Sequence, residues 1–185
     1  MFYEPLTDYL NIRHLGVSFA NRKLLNIAGT VKEVSTSQNF SLQMTESDIN
    51  LNELYPYYRQ VMGDRSMRFG GSVSLYPLTI TGDPKDIDVD GAINLRQIYF
   101  RQPGVEARIP ALSLGYSVRK RDANMNFAAT MRMPHLFYVL DRSRSGDNGA
   151  VFSLNASAYN NFERLDIHRM TLNFYDPVSR ESALN

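Results

Sequence analysis

The densest run of metal-ligating side chains is Asp86-Ile87-Asp88-Val89-Asp90-Gly91-Ala92-Ile93-Asn94-Leu95-Arg96-Gln97. Asp at positions 1, 3 and 5, Gly at 6, an apolar residue at 8 and Asn at 9 match a calcium loop of the EF-hand or dockerin type. Three oxygens on one tight turn suit a hard dication. Position 12, however, is Gln97, so the bidentate carboxylate is missing, and Ile87 and Val89 stand where a solvated loop carries polar residues. Pro84 interrupts any entering helix, and Ile98-Tyr99-Phe100 continues as a strand. The same residues read as an alternating strand with Asp86, Asp88 and Asp90 facing water, turning at Asp90-Gly91 as a hairpin. That reading fits more of the residues, and calcium remains a weak candidate that would suit a cell-surface or adhesion module.

Other chemistry finds less support. The chain has no Cys, which removes disulfides, zinc-thiolate sites and Cys nucleophiles. His14, His135 and His168 lie far apart and form no H-x-x-x-H pair, so they read as ordinary partly buried histidines. Gly70-Gly71-Ser72 opens a strand, which is the wrong context for a phosphate-binding loop, and no G-x-S-x-G occurs. The expectation is a protein that is no enzyme and needs no cofactor. The sequons Asn39-Phe40-Ser41 and Asn155-Ala156-Ser157 fall in expected strands and read as chance. Arg119-Lys120-Arg121 reads as a hairpin tip with solvated charges, with contact to anionic lipid headgroups as the lesser reading. With 20 Lys+Arg against 19 Asp+Glu the net charge is +1, too little field to favour a nucleic-acid partner.

The elements that would position any site follow from periodicity. Apolar and polar residues alternate with period two through Phe40-Leu42-Met44, Val73-Leu75, Leu78-Ile80 and Ile87-Val89-Ile93-Leu95. The pattern returns at Val105-Ala107-Ile109, Met125-Phe127, Met131-Met133 and Leu165-Ile167-Met170-Leu172-Phe174, the last with a slip near Arg169 that predicts a bulge. Roughly ten half-buried antiparallel strands fit, and the fold class is mainly β. At 185 residues and 43% hydrophobic the chain suits one domain or a slab of a larger one. Its longest apolar runs are too short for a bilayer-spanning helix.

Three aromatic-rich stretches lack alternation and predict short helices near residues 3–10, 54–62 and 134–140. In the second, Tyr57, Val61 and Met62 would share one face. A glycine-bearing turn is expected after each stretch, at Gly16, at Gly63–Gly71 and at Ser145–Gly149, and then a strand. This suggests a weak repeat with units of about 1–48, 49–125 and 126–185, its second and third copies 78 residues apart by Gly71 and Gly149. Such repetition predicts an elongated array. The chain is expected to be an internal segment of a longer repetitive protein.

Asp48-Ile49-Asn50-Leu51-Asn52-Glu53-Leu54-Tyr55-Pro56-Tyr57-Tyr58 resembles the strand-into-helix segment of bacterial AsmA-like proteins, a family that includes TamB. The runs Gly71-Ser72-Val73-Ser74-Leu75 with Leu78-Thr79-Ile80-Thr81-Gly82, and Phe152 to Ala158 with Leu165-Asp166-Ile167, resemble the same pattern. The resemblance spans about residues 40 to 175. It implies a long twisted β-sheet bent into a groove with an apolar lining. It also implies a periplasmic, cell-envelope role in diderm bacteria, carrying phospholipid between inner and outer membranes or helping outer-membrane biogenesis. A phospholipid or other acyl-chain ligand and neighbouring segments of the same chain would be the partners.

The groove lining would be Ile49, Leu51, Val73, Leu75, Ile80, Val89, Ile93 and Leu95, which alternate with polar neighbours. Too little helix is foreseen to cover such a sheet. A strand of about eight residues spans roughly 26 Å, comparable to an acyl chain. The competing readings are a non-catalytic β-sandwich interaction module and, less favoured, a transmembrane β-barrel segment.

Overall fold

The computed structural model describes residues 2–5, 7–19, 22–63, 66–140 and 144–177. The strands are β1 (Phe2–Glu4), β2 (Tyr9–Phe19), β3 (Arg22–Lys32), β4 (Asn39–Ser47), β5 (Ile49–Asn50), β6 (Arg68–Ser74) and β7 (Leu78–Gly82). They continue with β8 (Asp86–Gln102), β9 (Val105–Arg121), β10 (Asn124–Leu140), β11 (Arg144–Tyr159) and β12 (Arg164–Tyr175). One helix, α1 (Leu51–Met62), lies between β5 and β6.

All the strands join one antiparallel sheet in the order β1-β2-β3-β4-β7-β8-β9-β10-β11-β12. The path has two ends, so the sheet does not close into a barrel. Segment β5-α1-β6 leaves this path and returns to the same edge of β8. There β7 pairs with Ile87–Gly91 and β6 pairs with Asn94–Arg101. The mainly β, open-sheet expectation holds. The sandwich does not: extended contacts run between hydrogen-bonded neighbours, apart from α1 on β6, and no second layer packs on the sheet among the described residues.

Only the middle one of the three expected helices forms. Asn50 caps it by accepting the Asn52 N–H at 3.0 Å, and Gly63 ends it in the left-handed conformation at φ 66°. Its packing face is not the expected one. Tyr55 and Tyr58 stand edge-on to Phe69, with ring centroids 5.6 and 5.2 Å away, whereas Val61 is 81% exposed and Tyr57 and Met62 are exposed too. Near residues 3–10 the chain instead forms β1, a turn that includes Pro5 and Asp8, and the start of β2, with Leu6 outside the described residues. Residues 134–140 belong to β10. Pro134 sits within the register shift between Met133 and Leu136, where a missing N–H breaks no ladder bond, and the aromatic run after it suits a strand.

The expected glycine turns are also strand. Gly16 lies in β2, Gly70 and Gly71 in β6, and Gly146 and Gly149 in β11. Tyrosines on neighbouring strands explain three of them. Rings of Tyr99, Tyr138 and Tyr175 lie over their register partners Gly70, Gly146 and Gly149, so closely that a Cβ would meet the ring within 2.5 Å. Gly71 differs, because it makes the β6 bulge at φ +115°. With α1 the only helix, the strand-helix-glycine unit occurs once among the described residues.

A sealed core is lacking. Among the described residues the buried hydrophobic ones are Ile12, Met44, Met133, Ala150, Ala156 and Ala158, and no large side chain is fully buried. The chain exposes 12576 Å², where a compact monomer of 21.1 kDa exposes about 9,000 Å². A single layer accounts for the excess.

Candidate functional site

Register partners share a face, and following them across the sheet shows where the apolar side chains go. Ile12, Gly29, Leu42, Ile80, Val89, Val118, Phe127, Ala156 and Ile167 form one continuous row from β2 to β12. Further along the strands, Ile93, Leu114, Met131, Phe152 and Leu172 form a second row. Ile49, Val73, Leu95 and Leu112 form a third. Two-residue alternation puts all three rows on one face. At about 4.8 Å per strand the first row is roughly 38 Å wide, and Ile87 to Leu95 covers about 26 Å along β8.

Within β8 and β9 these side chains are half-buried, shielded by one another and by Tyr116, whose ring lies over Gly91. Toward the β12 edge the shielding fails: Ile167 is 58% and Phe174 68% exposed. No described residue pairs with the outer edge of β12.

Toward the Asp86–Arg121 end the opposite face of β8 and β9 is polar, and four of its charged side chains satisfy one another. Arg121 grips Asp88 with Nη1–Oδ1 at 2.7 Å and Nη2–Oδ2 at 3.1 Å. Arg119 donates from Nη2 to both Asp90 oxygens at 2.8 Å. The hydrogen bond from Arg121, helped by the nearby guanidinium charges, holds the Asp88 carboxyl below the usual carboxylate range. Strand β8 runs straight through Asp90 and Gly91, so the hairpin expected there does not form. Among the described residues no group of three His, Asp or Glu side chains is placed to hold a metal ion. The basic run Arg119-Lys120-Arg121 ends β9 before the Asp122–Ala123 turn, with its two arginines committed to Asp88 and Asp90.

Beyond Leu95 and Leu112 the apolar face changes character. Register continues unbroken between β8 and β9, with Tyr99 opposite Arg108 and Arg101 opposite Glu106. Phe137 and Val139 of β10 extend these two rows on one side, and Gly70 and Arg68 of β6 on the other. Apart from Gly70, these residues line a cleft of about 890 Å³. Glu106 is shared: Arg108 Nε reaches Oε1 at 2.8 Å and Arg101 Nε reaches Oε2 at 3.0 Å. These bonds, that from Arg108 foremost, hold the Glu106 carboxyl below the usual range. Arg68 stands directly across from Arg101 and has no ion-pair partner among the described residues.

The predicted groove residues divide. Ile49, Val73, Ile80, Val89, Ile93 and Leu95 lie on the one apolar face. Leu51 begins α1 instead of continuing a strand, because Asn50 caps the helix there. Leu75 lies just past β6, its N–H donated to Ser47 Oγ at 2.9 Å. The histidines stay apart: His14 contacts Asn26, His135 pairs with Asp147 at 2.9 Å, and His168 meets Ser157 at 2.8 Å. Sequence reasoning missed the arginine cleft, although Pro103-Gly104 was a turn signal that sets Arg101 against Glu106.

No family model matches the chain, and neither the curated proteins nor the solved structures contain a match to it.

Proposed function

We propose that this chain is a non-catalytic segment of a lipid-binding or lipid-transporting β-groove protein. In this reading it works between the inner and outer membranes in the cell envelope of a diderm bacterium. The single observation that carries the reading is the apolar face running from β2 to β12 with no helix or second sheet over it among the described residues. A face of that size in water wants a cover, and an acyl chain laid along the strands supplies one. Resemblance to the AsmA-like proteins supports the location and the class of cargo. The unpaired outer edge of β12 suits strand addition by a neighbouring segment of the same chain.

Mass spectrometry of chloroform-extractable material that copurifies with the chain tests the proposal. Phospholipid near one molecule per chain is the expected result. Protein that stays monomeric and monodisperse with no bound lipid, and that takes up no fluorescent phospholipid when it is offered, would overturn it.

A further inference from the structure

We infer that the cleft containing Arg68, Arg101 and Arg108 is a headgroup site, selective for amphiphiles that carry a phosphate. The inference rests on the groove reading and adds which lipid the groove takes and which way round it lies.

Charge balance is the first argument. Three guanidinium groups and one carboxylate line this cleft, leaving a formal local excess of two positive charges. Arg68 and Arg101 are direct cross-strand partners, an arrangement that is destabilising when no anion lies between like charges. On the other face of the same two strands, Arg119 and Arg121 meet Asp90 and Asp88, two charges against two. A phosphate monoester brings about −1.5 to −2 charges and three oxygens, which fits this excess better than a single carboxylate does. Arginine forks bind phosphate oxygens in pairs, with more geometric selectivity than lysine offers.

Position is the second argument. Strand β9 alternates without interruption, so Arg108 faces the same way as Leu112, Leu114, Tyr116 and Val118. From Arg108 to Leu112 is about 13 Å along the strand. A phosphate held at Arg108 therefore leaves its acyl chains pointing down the apolar rows. Access is the third argument. Tyr99 lies flat over Gly70, with its hydroxyl donated to Asn52 Oδ1 at 3.1 Å, which keeps the floor of the cleft low.

The test compares two fluorescent probes with identical chains, labelled phosphatidic acid and labelled diacylglycerol, presented as monomers to the full chain. Phosphatidic acid is expected to bind at least tenfold more tightly. Arg68→Ala should remove most of that preference and leave diacylglycerol binding unchanged, while Arg68→Lys should retain part of it. Arg68 is exposed, and the urea midpoint of each variant checks that folding is intact. Equal binding of both probes, unmoved by Arg68→Ala, would overturn the headgroup site and leave the groove standing. Displacement of phosphatidic acid by millimolar inorganic phosphate, with no diacylglycerol binding, would mean a free-phosphate site and overturn the proposal. Binding only to intact vesicles, never to monomeric probe, would replace the site with a membrane-surface contact. Failure of both probes to bind in any form would defeat the groove reading itself.

Discussion

The two faces of the β8–β9 pair are made by the same backbone, hydrogen-bonded in one register from Asp86–Arg121 to Gln102–Val105. Their side chains meet opposite fates. On one face Asp88 and Asp90 take Arg121 and Arg119, and every charge of that group has an internal partner. On the other, no layer covers Val89, Ile93, Leu114 and Val118 among the described residues, and the charged group further along keeps a formal excess of two positive charges. The fold pairs the charges of the first group itself, and in the proposed reading a lipid covers the second face. If that reading is right, the two faces should respond differently to substitution.

The largest effect is expected from placing a carboxylate on the uncovered face. Ile93→Asp should abolish binding of fluorescent phospholipid. Because Ile93 is only half-buried and faces no packed layer, the new carboxylate keeps much of its hydration, and urea unfolding should show a loss of about 1 kcal/mol. In a sealed core the same change would cost several kcal/mol and unfold the protein. A large stability loss for both Ile93→Asp and its register partner's variant Leu114→Asp would mean that the face is covered after all.

Charge reversal gives the next effect, and it should split by face. Arg119→Glu puts a third acid beside Asp88 and Asp90, so the melting temperature should fall by about 3 °C while lipid binding stays as it was. Arg68→Glu faces Arg101 across the strands and creates a favourable pair, so the melting temperature should hold or rise while phosphatidic acid binding is lost. A matching response at both positions would erase the distinction between the two faces.

How much of this was legible from the residues follows from what the chain repeats. Alternation marks β4, β7, β8, β9 and β12, including the slip at Arg169, where His168 is the extra residue opposite the step from Asn155 to Ala156. Alternation cannot mark residues 136–140, which are apolar on both sides, so that strand resembles a helix until its pairing is seen. Glycines at 70, 146 and 149 look like turns because what requires them, a tyrosine ring on the next strand, shows only once the strands are paired. The cleft was hidden for the same reason. Arg68, Arg101 and Arg108 come from three strands, and only β6's return to β8 brings Arg68 beside the other two.

Acid should act modestly and on both faces. Asp88 and Glu106 have carboxyls held below their ordinary values by arginine hydrogen bonds. A depressed folded-state value means that the stabilisation is complete above the unfolded-state value, near 4, and is lost as pH falls through the lower folded one. The melting temperature should therefore be insensitive to these two groups from pH 7 to about pH 5 and decline at lower pH. The variants Asp88→Asn and Glu106→Gln should each make that decline shallower. A decline that begins well above pH 5 in the wild-type protein would show that these two carboxyls do not govern the acid response.

Calcium should have the smallest effect, which is none. Asp86, Asp88 and Asp90 have the spacing of a loop but stand on a straight strand, where alternate side chains are about 6.8 Å apart. A calcium ion needs six to eight oxygens at about 2.3 to 2.6 Å, and oxygens strung along one strand cannot converge on that sphere. Two of the three carboxylates are already held by arginines, so a cation would have to displace Arg119 and Arg121 before it gained a ligand. Millimolar calcium should leave the melting temperature unchanged, in wild-type protein and in Asp88→Ala alike. A rise of several degrees in the wild type, abolished by Asp88→Ala, would show that the fold does not satisfy those charges itself, and the contrast between the two faces would have to be abandoned.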